Sequence, residues 1–401
     1  MRAITPETIK PSRVTALWFG VQLIWGAVLG ISLQARCVQL APVSPLVLFG
    51  AVSASGAFAA ALTQLVAGPW SDRLRRAGSD RAPFYATGSL VGIAAVIVFY
   101  AATSAPSLLG AFVLLQIALN VVIGPYQAVI PDTMDPRRYG LASAWLAALA
   151  SAGNAAGAIA ATVFADTRIL AIVLVAGLAG SAAITLTYLR RIKLQPLAAG
   201  VPFALSGVLI DLFISRAFVY LGFYTVLGYL YFYVASILPH GFALGATRAS
   251  GICVLTFTLL GTVGALVAAR PADRSDERLV VSFGGGLVAV SLVVLALTHG
   301  IAALPWTIAA AGVGWGIFLC ADWAFACRLL PPSALATTMA LWNLAVVGPQ
   351  MLAPLVASVL LTRVGSLGTA AGPRDAMLLA GAEMLIGTVW IWRLPFVKTG
   401  K

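Results

Sequence analysis

Charged and amide side chains are scarce in this sequence, and several of them sit in stretches otherwise too apolar to hold them. Only 13 of 401 residues are Asp or Glu. Glu383 and Asp211 fall inside long apolar runs, as do Arg216, Arg36 and, near a run's end, Asp322. An ionisable group at membrane depth is expensive; it pairs, or trades its charge for a proton, so each is a functional hypothesis by default. Glu383, Asp211, Asp132, Arg36 and Arg216 are therefore candidates for proton coupling, and Arg36 alternatively for holding an anionic solute. Asp211 and Arg216 are five residues apart and do not stack on one helix face, so each is expected to find another partner.

Amides form a second set. Gln22, Gln116, Asn120, Asn154, Asn343 and Gln350 fall within their runs. Each offers donors and an acceptor, which suits a hydroxyl-rich neutral solute. Tyr220 and Tyr224 lie one helical turn apart with Phe223 and Tyr231 nearby, and Trp315 and Trp342 present flat faces for a sugar ring. The structural alternative is that these residues join helices or populate an interfacial belt. Gly26 and Gly30, Gly153 and Gly157, and Gly312 and Gly316 make the four-residue step that lets helices approach closely.

The elements that must position these residues are membrane helices. The chain is 61% hydrophobic with a mean hydropathy of +0.98. Runs long enough to span a hydrocarbon core of roughly 30 Å recur along its length. The expected fold is an all-α membrane protein of twelve transmembrane helices, at about 14–37, 44–67, 85–104, 107–130, 140–164, 168–189, 207–236, 248–269, 279–299, 302–326, 335–361 and 375–393. The first run is too long for a cleavable signal and is read as span one. Nineteen of the 25 Lys and Arg residues fall at the termini or in the even-to-odd loops. That bias places both termini in the cytoplasm. It also accounts for the +12 net charge without nucleic acid. Cys37, Cys253, Cys320 and Cys327 are scattered, and Cys and His never cluster at ligand spacing, so neither a disulfide framework nor a metal or other cofactor is expected. His240 and His299 read as solvated residues at span ends. No nucleophile–base pair or phosphate loop suggests an enzyme.

A charged break at 191–206 separates an N-terminal six-helix bundle, 1–190, from a C-terminal one, 207–401. A weak repeat accompanies it: Asp-Arg follows span two at Asp72-Arg73 and span eight at Asp273-Arg274, and Pro136 to Trp145 echoes Pro332 to Trp342. The stretch Gly68 to Arg81 reads as a short loop holding Asp72, Arg73, Arg75, Arg76 and Arg81.

That stretch resembles the loop between the second and third helices of major facilitator superfamily transporters. Gly124-Pro125-Tyr126-Gln127, Pro131-Asp132, Arg137-Arg138-Tyr139-Gly140, Trp145, Gly153-Asn154, Asp322-Trp323, Trp342-Asn343 and Gly348-Pro349-Gln350 resemble the sucrose/proton symporter branch. The resemblance implies two halves around a midplane site, a monomer, and proton-coupled symport of a sugar or similar polar solute across the inner membrane. It implies that Asp72 and Arg73 form a gate, with Asp72 at the start of span eleven, where Ser333 is a candidate N-cap, and with Asp322 at the same surface. It places Gln127 where the plant symporters carry a substrate-linked Arg, and an amide supplies no charge there. Two other functions fit the same pattern of spans. One is a proton-driven exporter of amphipathic compounds, although span five lacks the central Pro of such exporters. The other is a non-transporting protein that assembles or delivers a membrane cofactor.

Overall fold

The protein is described by a computed structural model over residues 9–41, 43, 45–164, 167–192, 206–239, 245–298, 301–330, 335–366, 369 and 371–395. Ser333, Lys193, His240 and His299 lie outside the described residues. In chain order the helices are α1 (Pro11–Val14), α2 (Ala16–Ala27), α3 (Leu33–Leu40), α4 (Pro45–Arg76), α5 (Ala82–Ala101), α6 (Ala105–Tyr126), α7 (Val129–Thr133) and α8 (Tyr139–Val163). They continue as α9 (Thr167–Leu189), α10 (Gly207–Ile237), α11 (Gly245–Arg274), α12 (Glu277–Leu297), α13 (Leu304–Leu329), α14 (Leu335–Arg363) and α15 (Gly372–Trp390). Among the described residues ten helices are long and apolar enough to cross a bilayer. Span one is assembled from α2, a π-helical turn at Val28–Ser32, and α3. Span eleven is α14.

The charged stretch after span two is not the loop that its composition suggests. α4 is 32 residues long and runs through Pro69 to Arg76, and α11 likewise runs through Pro271 to Arg274. At 1.5 Å per residue α4 measures about 48 Å, well beyond a core of roughly 30 Å. A helix leaving the core keeps its backbone bonds, and Arg73, Arg75 and Arg76 in its last turn face the negative end of the helix dipole. Only Gly78 breaks it: φ is +85°, its N–H meets the Arg75 carbonyl at 3.2 Å, and Ser79 N–H meets that of Leu74 at 3.0 Å. That reversal needs a left-handed residue.

The chain divides into two compact units. The first comprises residues 1–204 with 330–341, and the second 205–329 with 342–401. Within the first, α2 packs on α8 and α9, and α4 and α5 pack on α6. Within the second, α13 packs on α11 and α12, and α10 and α12 pack on α15. Glycines set the closest crossings. A Cβ on Gly157 would fall 2.0 Å from the Leu23 carbonyl oxygen, and one on Gly316 would fall 1.8 Å from that of Gly261.

Candidate functional site

In the first unit a buried ionic cluster ties three helix ends together. Arg81, 1% exposed in its side chain, donates from Nε to Asp132 Oδ2 at 2.7 Å, from Nη2 to Asp72 Oδ1 at 2.8 Å and from Nη1 to Ser71 Oγ at 2.6 Å. Burial opposes its charge, but the carboxylates of Asp132 and Asp72 outweigh burial and hold the guanidinium pKa above its ordinary value. The second oxygen of Asp72 accepts from the backbone N–H of Thr337 at 2.8 Å and from its hydroxyl at 2.7 Å. Those donors lie in the first turn of α14, where N–H groups have no intrahelical acceptor. Arg73 is exposed beside this cluster. A cleft of about 200 Å³ opens along it, lined by Arg75, Arg81, Tyr85 and Asp132 among others.

The second unit carries the same device with one sign moved. Arg328, at the end of α13, donates to Asp273 at the end of α11 at 3.0 Å, to Glu277 at the start of α12, and to the Ala272 carbonyl at 2.8 Å. In the first unit the cation precedes α5 and two aspartates face it; in the second the cation ends α13 and the acids belong to α11 and α12.

Deeper in the second unit lies a different pair. Arg216 on α10 and Asp322 on α13 form a buried ion pair, 2% and 1% exposed. Aromatic rings wall it. The guanidinium carbon stands 3.4 Å from the Trp342 ring centroid, 4.8 Å from that of Tyr220 and 5.9 Å from that of Trp323. Nη2 also donates to the Tyr220 hydroxyl at 3.3 Å. Above Tyr220, Phe223 and Trp315 stack at 4.3 Å and 6°, with Tyr224, Phe257 and Phe318 around them. Glu383 on α15 is 4% exposed; Oε2 accepts from Thr225 Oγ1 at 2.9 Å, and Oε1 has no partner among the described residues.

The remaining sequence candidates are dispersed. Asp211 accepts from the Trp390 indole N–H at 2.9 Å. Arg36 bonds the Ala102 carbonyl and Gln39 Oε1, the latter at 3.0 Å. Gln116 and Asn120 are spent on one another and on Gln64: Gln64 Nε2 donates to Asn120 Oδ1 at 2.5 Å, and Asn120 Nδ2 to Gln116 Oε1 at 3.1 Å. Gln127 is fully buried with both amide atoms unpartnered among the described residues. Gln22 and Asn343 are half-buried, while Asn154 and Gln350 are exposed. Sequence reasoning passed over Arg81 as a hub, and over Arg328, Glu277, Gln64, Thr225 and Thr337. Arg328 carried a usable signal, since it is a lone charge at the edge of an apolar run, whereas Glu277 is masked by its charged neighbours Asp276 and Arg278.

The family profile of the Major Facilitator Superfamily matches residues 14–354. The chain belongs to that superfamily. It is a multi-pass membrane transporter rather than an enzyme. No curated protein matches it by sequence. Solved structures share the facilitator fold at low identity. The human organic anion transporter MFSD10 (TETRAN) is 14% identical over 96% of this chain and 100% of its own, with a TM-score of 0.73. A bacterial homologue of the iron transporter ferroportin, in its outward-facing state, is 15% identical over 96% and 99%, with a TM-score of 0.68. The proton:xylose symporter XylE, bound to 6-bromo-6-deoxy-D-glucose, is 12% identical over 98% and 96%, with a TM-score of 0.67. The twelve-helix, two-half expectation agrees with that fold.

Proposed function

We propose that this facilitator is a proton-coupled secondary transporter that carries a small polar solute by alternating access across the inner membrane, with both termini cytoplasmic. The observation that carries the reading is the buried Arg216–Asp322 pair. A buried ion pair is weak evidence for stability, because apolar residues of similar volume hold a core as well or better. Its value lies in switching. A proton on Asp322 removes one charge of the pair, and Arg216 is then left needing another acceptor. Glu383 is a second place for a proton to rest, since its one partner among the described residues is a neutral hydroxyl.

Asp72 has a separate, conformational role in this reading. By accepting from the first turn of α14 it biases one state of the transport cycle, and Arg81 fixes its position. The structural neighbours are an organic anion transporter, a homologue of an iron transporter and a proton:xylose symporter, so they do not select a class. Gln127, with both amide atoms unsatisfied, supports a hydroxyl-rich solute. The ring cluster around Trp315 favours a second reading, export of an amphipathic compound. Uptake by the purified protein in proteoliposomes tests the proposal. Sugars, organic anions and amphipathic dyes are offered with and without an inward proton gradient. Gradient-driven accumulation of one polar solute is expected; transport indifferent to the gradient, or of dyes alone, contradicts it.

A further inference from the structure

Around Arg216, buried donors outnumber acceptors. A guanidinium brings five N–H donors. Nη1 is bonded to Asp322 and Nη2 reaches Tyr220 at 3.3 Å, but Nε is buried without an acceptor among the described residues. Trp342 is 0% exposed and its indole N–H has no acceptor among the described residues either. Asp322 Oδ2 and the Tyr220 hydroxyl both accept from Arg216. Both of these unmet buried groups, Arg216 Nε and Trp342 Nε1, are donors that want an acceptor. Buried polar groups in native proteins are almost always satisfied, so an excess of this kind calls for a partner. A sugar hydroxyl brings a donor with every acceptor and leaves its own hydrogens to place. A carboxylate brings acceptors only, and its flat shape matches the guanidinium fork.

We infer that the solute is an organic anion whose carboxylate binds Arg216 and the Trp342 indole N–H in place of Asp322. This deepens the transport reading above and rests on it. The step balances as follows. One proton binds Asp322 as the solute carboxylate takes over the Arg216 positive charge, so one anion and one proton enter together and no net charge moves. Release reverses both. The groups that interact electrostatically with Asp322 are Arg216 and Tyr220 of α10 and Cys327 on its own helix. Arg328, further along the same helix, is engaged with Asp273 and Glu277.

The test compares L-lactate with L-lactamide, a neutral isostere, by calorimetric titration of the purified full-length protein. D-gluconate and sucrose make the same comparison for larger solutes. At about pH 5.5 the carboxylates are expected to bind at least tenfold more tightly than their neutral counterparts. Their affinity is expected to weaken about tenfold or more by about pH 7.5, because proton uptake is linked to binding. Asp322→Asn imitates the protonated acid and is expected to bind lactate equally at both pH values, whereas Arg216→Gln loses binding. The comparison on the unaltered protein needs no variant to fold. If lactate and lactamide bind alike, or only sugars accumulate in proteoliposomes, the inference fails while the transport reading stands. If no solute of any class moves under a gradient, both fall.

Discussion

Replacing Arg81 by glutamine isolates the ionic cluster of the first unit. The change removes three side-chain bonds of 2.6 to 2.8 Å and leaves Asp72 and Asp132, both almost fully buried, without their shared cation. Breaking a buried pair by removing one partner costs about 3–5 kcal/mol. Asp72 keeps its two bonds from Thr337, which draws the expected loss toward the lower figure. About 3 kcal/mol corresponds to a fall in melting temperature of roughly 6–12 °C for a unit of this size. Thermal unfolding in detergent reads the shift directly. Asp72→Asn removes part of the same interaction, so the double variant is expected to fall short of additivity by at least about 1.5 kcal/mol. Arg81→Lys restores charge but only a point donor, and is expected to recover part of the loss. An Arg81→Gln protein melting within about one degree of the parent, or strict additivity with Asp72→Asn, refutes the cluster as a structural tie.

Four further outcomes follow. Gly157→Leu places a side chain where even a Cβ lies 2.0 Å from the Leu23 carbonyl, so size-exclusion chromatography is expected to show aggregation rather than a folded monodisperse peak. Thr225→Val removes the one donor to Glu383 among the described residues and is expected to cost about 1 kcal/mol in thermal stability, with Glu383→Gln milder because its amide still bonds the hydroxyl. The Asp276 carboxyl, bonded by the Arg278 side chain and capping α12, is held below the ordinary aspartate pKa. Its contribution is therefore present above the ordinary value near 4 and lost as pH falls through the lower folded one; an Asp276→Asn melting curve is expected to converge on the parent in acid. A cysteine placed at exposed Ser79 reports orientation, because the natural cysteines are all buried. An impermeant maleimide is expected to label it in inside-out vesicles and to spare it in right-side-out ones.

Much of this architecture was legible in the sequence because hydrocarbon imposes it. Runs long enough to cross, and the crowding of Arg at alternate ends, need no tertiary knowledge. The repeat of Asp72-Arg73 at Asp273-Arg274 pointed to corresponding helix ends. What the chain hides is partnership. Asp72 was conspicuous as a carboxylate, but its cation is Arg81, nine residues on and past a turn, not the adjacent Arg73. The charged stretch passed for a loop because Pro69 and its arginines mimic one, whereas a helix leaving the membrane tolerates Pro69 together with Arg73, Arg75 and Arg76. Asp322 looked like a surface residue because it lies near the end of its span, yet its partner Arg216 sits 106 residues away on α10. The amides Gln116 and Asn120 looked like a solute site and are bonded to one another, since periodicity reports which face a residue occupies and not what it meets there.

The central claim is that solute movement is tied to a proton on Asp322. Its most direct test is Asp322→Asn in proteoliposomes, with gradient-driven accumulation and solute exchange at equilibrium measured side by side on the same preparation. The account predicts that accumulation is lost while exchange persists, because a neutral residue 322 keeps Arg216 available to the solute but cannot take up the proton that balances the solute charge. Accumulation that survives unchanged in the variant contradicts it.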